Sequence, residues 1–269
     1  MRRVALIFLS AVLLLTIPAT VRAQTMTTAS YPISAEKLLS ALLSNAGWAI
    51  PPTDVVAIGV VRDPSTAASL GAPVVVQARG NNRLRFEVTL GGGKTTTIVN
   101  AGRAARISSN NEKKGFPGHS ALSMRIPVFP FMDALQGIGT TKVLKYVGTD
   151  FLDGKLVDVI DAIPASIKGD SLIFMRSPQY FRIWITRETG LLAQLSYVRL
   201  ADSNPLAATT YVRKYSDYRL VNGRLFPFHQ EQSMQGGGVE NVIDFLNVTF
   251  DTGLPEATFD VPPDDREAQ

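Results

Sequence analysis

Along residues 83–90 apolar and polar side chains alternate without a break. Leu84, Phe86, Val88 and Leu90 fall on one face; Arg83, Arg85, Glu87 and Thr89 fall on the other. A period of two is that of a β-strand with one buried and one wet face. The signature recurs at 181–186, where Phe181, Ile183 and Ile185 oppose Arg182, Trp184 and Thr186. Runs rich in β-branched or aromatic residues at 55–62, 73–79, 95–99, 103–108, 142–149, 155–162, 171–175, 191–200, 207–221, 224–234 and 239–250 fit the same element. Turn residues stand between them. Asn222-Gly223 and Asp153-Gly154 tolerate the positive φ that a two-residue hairpin turn needs. Gly91-Gly92-Gly93, Asn100-Ala101-Gly102 and Gly236-Gly237-Gly238 punctuate other joints. About 10–12 strands joined by short turns argue for one antiparallel sheet, and a sheet that wide curls.

Three segments depart from this rhythm. Leu38, Leu39, Leu42 and Leu43 make one face of an amphipathic helix over 35–46, with Ser34 able to cap it and Gly47 able to end it. Residues 110–119 are polar and carry Gly115, Pro117 and Gly118, which predicts a loop. Residues 127–135 contain Val128, Phe129, Phe131, Met132 and Leu135 but are interrupted by Pro127 and Pro130, too broken for a central strand. An exposed apolar loop needs a partner. This one is expected to lie over the apolar face of the sheet. The expected fold class is therefore mainly β with a few helices: a curved antiparallel sheet forming an open half-barrel, covered by the N-terminal helix and a central loop/helix segment.

The first residues are an address. Arg2 and Arg3 precede an apolar run at 4–17, Pro18 ends it, and Val21 and Ala23 place small residues before a cut at Gln24. As a helix the run reaches about 21 Å, short of a bilayer core of roughly 30 Å, so a secretory signal peptide over 1–23 is expected, and not a membrane anchor. The organisation expected is 1–23 signal peptide, 24–263 a single domain and 264–269 a disordered tail. Removing Arg2, Arg3 and Arg22 takes the net charge from +4 to about +1, so the basic balance of the whole chain belongs to its leader. No nucleic-acid partner is expected. Arg79, Arg83, Arg85, Lys113 and Lys114 read as a solvated strand face. The chain has no cysteine. Export without disulfides points to a periplasmic location.

Chemical motifs are sparse. Gly91-Gly92-Gly93-Lys94-Thr95 lacks the first glycine of a phosphate loop, since Val88 stands there, and it joins strands instead of opening a helix. Gly118-His119-Ser120 resembles a nucleophile elbow, but Leu122 replaces the closing glycine. A serine hydrolase using Ser120 with His119 or His229 is the least favoured reading. Two histidines and no cysteine leave no metal-ligand set, so no metal and no cofactor are expected. Asp158 and Asp161 fall on opposite faces of a strand and cannot share one acid/base task.

The order of several short patterns resembles the LolA/LolB-like periplasmic lipoprotein carriers and the wider outer-membrane lipoprotein-sorting group. The resemblance runs from the helix after the leader through Asn82-Arg83-Leu84-Arg85-Phe86-Glu87, the turn at Asn100-Ala101-Gly102-Arg103 and the Thr186-Arg187-Glu188-Thr189-Gly190-Leu191 hairpin. It continues through Tyr215 to Tyr218, Asn222-Gly223, Phe226-Pro227 and the closing Phe259-Asp260-Val261-Pro262-Pro263. Asn100 and Thr186 stand where that family carries acids. The resemblance implies a carrier and not an enzyme, with no catalytic residue. Its cargo would be lipid or acylated lipoprotein, its partners inner- or outer-membrane transport proteins, and its state a monomer. The apolar lining would come from Leu84, Phe86, Val88, Leu90, Phe129, Phe131, Met132, Leu135, Phe181 and Ile183, and Arg85 is the candidate for a lid-contacting arginine. The alternative is a scaffold or interaction module whose aromatic residues simply fill a core.

Overall fold

The computed structural model describes residues 34–65, 71–118, 121, 128–132, 134–135, 138, 142–165, 180–201 and 204–264. The leader, the expected strand at 171–175, His119, Ser120 and the tail after Asp264 lie outside the described residues.

Helix α1 spans Ala35–Asn45, with Ser34 as N-cap accepting from Lys37 N. Thirteen strands follow in order: β1 (Asp54–Arg62), β2 (Ala72–Arg79), β3 (Arg83–Leu90), β4 (Gly93–Asn100), β5 (Arg103–Ile107), β6 (Lys113–Phe116), β7 (Lys142–Leu152), β8 (Lys155–Pro164), β9 (Phe181–Thr186), β10 (Leu192–Ala201), β11 (Asn204–Val221), β12 (Arg224–Met234) and β13 (Val239–Phe250). They form one antiparallel sheet in the order β6-β5-β4-β3-β2-β1-β13-β12-β11-β10-β9-β8-β7, open at both edges. This is the expected curved, unclosed half-barrel. Strand β6 is the exception to expectation. It lies in the polar stretch taken for a loop, pairs with β5 from Ala104↔Phe116 to Ile107↔Lys113, and packs Phe116 against the core. Lys-Lys-Gly-Phe shows no alternation, so nothing local announces it.

The turns obey backbone sterics. Asn222 and Gly223 have φ of 46° and 79°, and Asp153 and Gly154 have 49° and 77°, the paired positive values of a type I′ hairpin. Gly91 and Gly92 turn β3 into β4 in the same way.

Topology places the core. Strands β1–β6 and β7–β13 are two meanders, joined through β1 and β13, which pair from Val55↔Phe250 to Arg62↔Val242. Strands β6 and β7 are therefore the two outer edges, and the chain between them must travel from one edge to the other. Val128, Phe129, Phe131, Met132, Ala134, Leu135 and Ile138 of that connection are buried in the same cluster as Val55, Val76, Leu84, Ile160, Ile183, Leu195, Phe226 and Phe245 of the sheet. Leu39 and Leu42 of α1 join that cluster. Thirteen strands laid flat would span about 60 Å. Helix α1 and the connection can cover such a face only if it curls.

The opposite face is crossed by a strap, residues 251–264. Buried Asp54 accepts from Thr252 N and Oγ1 at 2.7 Å each, Gly253 N at 2.9 Å and Leu254 N at 3.0 Å. Burial works to raise its pKa, and these donors outweigh burial and hold it below the ordinary carboxylate value. Arg79 donates to Leu254 O, Arg83 to Glu256, Arg85 to Thr258 O and Asn100 to Phe259 O. Gly115 N donates to Asp264. Arg79, Arg83 and Arg85 thus hold chain and are not a merely solvated face.

The helix end is fixed by backbone contact. Gly47 has φ +75°, and a Cβ there would sit 2.3 Å from Gly223 O. Leu225 N donates to Ala46 O at 2.9 Å and Trp48 Nε1 to Leu225 O at 3.0 Å. Gly47→Ala is expected to cost about 1–3 kcal/mol from φ alone, plus the clash. Gly223→Ala, with positive φ but nothing within 4 Å of its Cβ, should cost the first part only. Chemical denaturation of both measures this, and equal losses would remove the close approach as a cause.

Candidate functional site

The concave face carries a run of aromatic rings built from four elements. Trp48, just past α1, stacks on Phe131 at 5.2 Å between centroids and meets Phe250 edge-on at 5.3 Å. Phe226 lies 5.5 Å from Phe245, 5.9 Å from Phe228 and 5.8 Å from Phe129. The alternation of β12 and β13 dictates this: Phe226 and Phe228 share a face of β12, and β13 presents Phe245 and Phe250 beside them, Phe245 next to the Ile58/Gly59 irregularity in the β1–β13 register. Rings at these separations add about 0.5–1.5 kcal/mol per pair beyond their buried area.

The sequence candidates are distributed unevenly around it. Leu84, Phe129, Phe131, Met132, Leu135 and Ile183 are buried. Phe86, Val88 and Phe181 are partly buried against the same cluster. Leu90 is 75% exposed at the end of β3. Arg85 lies on the other face, bonded to Glu87 and Thr258 O. Trp48, Phe245 and Phe250 were not among the candidates. Their signal was available for β13, where Phe245 and Phe250 sit in a β-rich run, but Trp48 follows a helix-ending glycine and has no period to place it.

A polar cluster interrupts the apolar face. Arg213 on β11 is 1% exposed; it donates through Nη1 to Gln230 Oε1 at 3.1 Å and through Nη2 to Gln232 Oε1 at 2.5 Å. Tyr197 on β10 donates its hydroxyl to Gln232 Oε1 at 2.7 Å. Burial pushes the Tyr197 hydroxyl pKa up, so it stays a neutral donor. Gln230 Nε2 donates to Val128 O at 2.9 Å, tying the covering connection to the sheet. The register explains the grouping: Arg213 pairs with Gln232 and Tyr215 with Gln230. Gln230 and Gln232 continue the inward face begun by Phe226 and Phe228, a pattern readable in sequence as polar residues on an apolar face.

The acid/base candidates stay apart. Asp158 accepts from Tyr146 and Arg187, and Asp161 from Tyr180 and Arg182. His229 contacts Asp244 through Nδ1 at 2.6 Å and Glu231 through Nε2 at 3.2 Å. Both ring nitrogens are taken, and the described residues hold no group that could bind a metal ion. Two cavities open elsewhere. One of about 410 Å³ lies beside Lys155, Leu191, Lys214, Tyr218, His229 and Glu231. The other, of about 440 Å³, lies between Phe116 and the strap at Val261 and Pro262. His229 lines the first; none of the apolar lining candidates, nor Arg85, lines either.

Solved structures share the fold. A LolA superfamily protein from Nitrosomonas europaea matches with a TM-score of 0.55 at 12% identity, covering 85% of this chain and 98% of its own. The chain has the LolA-superfamily fold. An outer membrane lipoprotein-sorting protein domain from Vibrio parahaemolyticus gives a TM-score of 0.54 at 12% identity, covering 84% and 97%. A DUF1329 family protein from Desulfovibrio piger gives 0.53 at 12%, covering 84% and 97%. No family model matches the sequence, and no curated protein does. The LolA-like fold is thus held by a sequence far from those of its structural neighbours.

His229 supplies a pH test. Burial works to lower its pKa; the hydrogen bonds and charges of Asp244 and Glu231 outweigh burial and hold it above the ordinary value. Its contribution to stability is therefore full below about pH 6.5 and fades as pH rises through the higher folded value. His229→Gln should narrow the gap in Tm between pH 5.5 and pH 8.5. An unchanged gap would show that His229 is not the titrating group.

Proposed function

We propose that the protein is an extracytoplasmic carrier that holds the acyl chains of lipid or acylated lipoprotein in the concave face of its open half-barrel. The LolA-like fold and the leader sequence support this reading. In it, residues 1–23 are removed on export to the periplasm, residues 24–263 work as one monomeric domain, and membrane transport proteins load and unload it. It performs no catalysis. The lining comes from Leu84, Phe86, Val88, Phe181 and Ile183 with the faces of Phe226 and Phe245. The observation that carries the proposal is the edge-to-edge connection. Its side chains Phe129, Phe131, Met132 and Leu135 occupy the apolar face, and a side-chain hydrogen bond joins Val128 O to Gln230.

That connection acts as the protein's own stand-in for cargo. Withdrawing four large apolar side chains from the face costs about 1.5–3 kcal/mol each. An acyl chain of about 16 carbons gains about 0.8 kcal/mol per methylene, so the two terms are of similar size and exchange is reversible. The same burial is what favours the second reading, a scaffold whose core the connection completes.

One pair of measurements separates them. Native mass spectrometry of protein from its own compartment should find bound lipid, and Phe131→Ala should bind a fluorescent fatty acid more tightly while losing about 3–5 kcal/mol of stability. A lipid-free protein whose Phe131→Ala form loses stability without gaining probe affinity would leave the scaffold.

A further inference from the structure

Arg213 is a cation buried in an apolar face, and no carboxylate meets it among the described residues. Its charge rests on two glutamine oxygens, and its Nε has no hydrogen-bond partner. A buried charge is costly unless paired, and the described residues supply no pair. The glutamines also cannot neutralise it; they orient it. Gln232 is fixed from its other side by Tyr197, so the guanidinium is held in place by groups that carry no charge. Immediately above it, Gln230 gives its amide N–H to Val128 O of the covering connection. When that connection withdraws, the amide donor and the guanidinium face the same opened space. Phe228 and Phe226 continue the same face of β12 beyond Gln230, and Phe245 of β13 packs on Phe226.

We infer that Arg213, with Gln230, is a receptor for the oxyanion head of an acyl-chain amphiphile, a carboxylate or phosphate that enters with the chain and supplies the missing counter-charge. The assignment rests on the carrier reading and narrows it: the cargo is an anionic amphiphile, its tail along the aromatic rings and its head inward at β11. Guanidinium and oxyanion geometries match, two N–H groups to two oxygens, and the orphaned Nε is one of the donors available. Val128 O occupies the place of one head-group oxygen in the closed state.

The test is displacement of a fluorescent fatty-acid probe from the purified protein by ligands of one chain length, each below its micelle concentration. Oleate should displace the probe at concentrations at least tenfold lower than oleyl alcohol. Arg213→Met, which keeps the volume and removes the charge, should erase that ratio while leaving oleyl alcohol binding intact; Arg213→Lys should retain part of it. Circular dichroism checks that each variant is folded. Lysophosphatidate run beside oleate distinguishes the head: the larger ratio marks the preferred oxyanion, and either upholds the receptor. Equal binding of oleate and oleyl alcohol by the wild type, or an unchanged ratio in Arg213→Met, overturns the inference and leaves the carrier standing. Inorganic phosphate bound as tightly as oleate overturns the head-group assignment. Failure of every chain to displace or bind removes the carrier reading itself.

Discussion

The approach of two backbones, Gly47 against Gly223, sets the position of much that follows. The helix can end there only because a residue without a Cβ takes a positive φ in contact with a carbonyl. The next residue, Trp48, is then delivered into the core, where its ring nitrogen finds Leu225 O and its ring stacks on Phe131 and meets Phe250 edge-on. Trp48 is the point at which helix, hairpin, covering connection and last strand all meet. Moving the helix end would disturb each of them through one side chain.

The two faces of the sheet are stabilised by different physics. The concave face is an apolar cluster broken by one oriented guanidinium. The other face, over β2–β6, is closed by directional contacts: arginine side chains reaching the carbonyls of a strap, and Asp54 collecting four donors at the strap's start. Only the first depends mainly on area removed from water. A segment on the concave face can be exchanged for another apolar body of similar size. The strap cannot, because its bonds require its own backbone.

What the sequence disclosed follows from which forces are local. The Leu84–Leu90 alternation, Asn222-Gly223, Asp153-Gly154 and the Ser34 cap each act within a few residues, and the structure contains the strand, the turns and the cap, though Leu90 at the strand's end is exposed instead of buried. The apolar segment around Phe129 was legible as a cover because its composition demands burial. Strand β6 was not legible, since partnership with β5 makes it a strand and its own residues do not. The role of Arg79, Arg83 and Arg85 was hidden because their partners lie some 170 residues downstream. Arg213 was hidden for a related reason. A lone arginine in a strand reads as surface until the registers of β10 and β12 surround it.

The seam between β1 and β13 has a consequence for how the molecule is made. Each meander joins neighbours in sequence by short turns, so its pairings close small loops and can form early. The central pairing closes a loop of nearly the whole described chain, and it cannot begin until β13 has been synthesised. Until then both meanders carry a bare strand edge at what will become the middle of the sheet, the kind of edge that invites wrong partners.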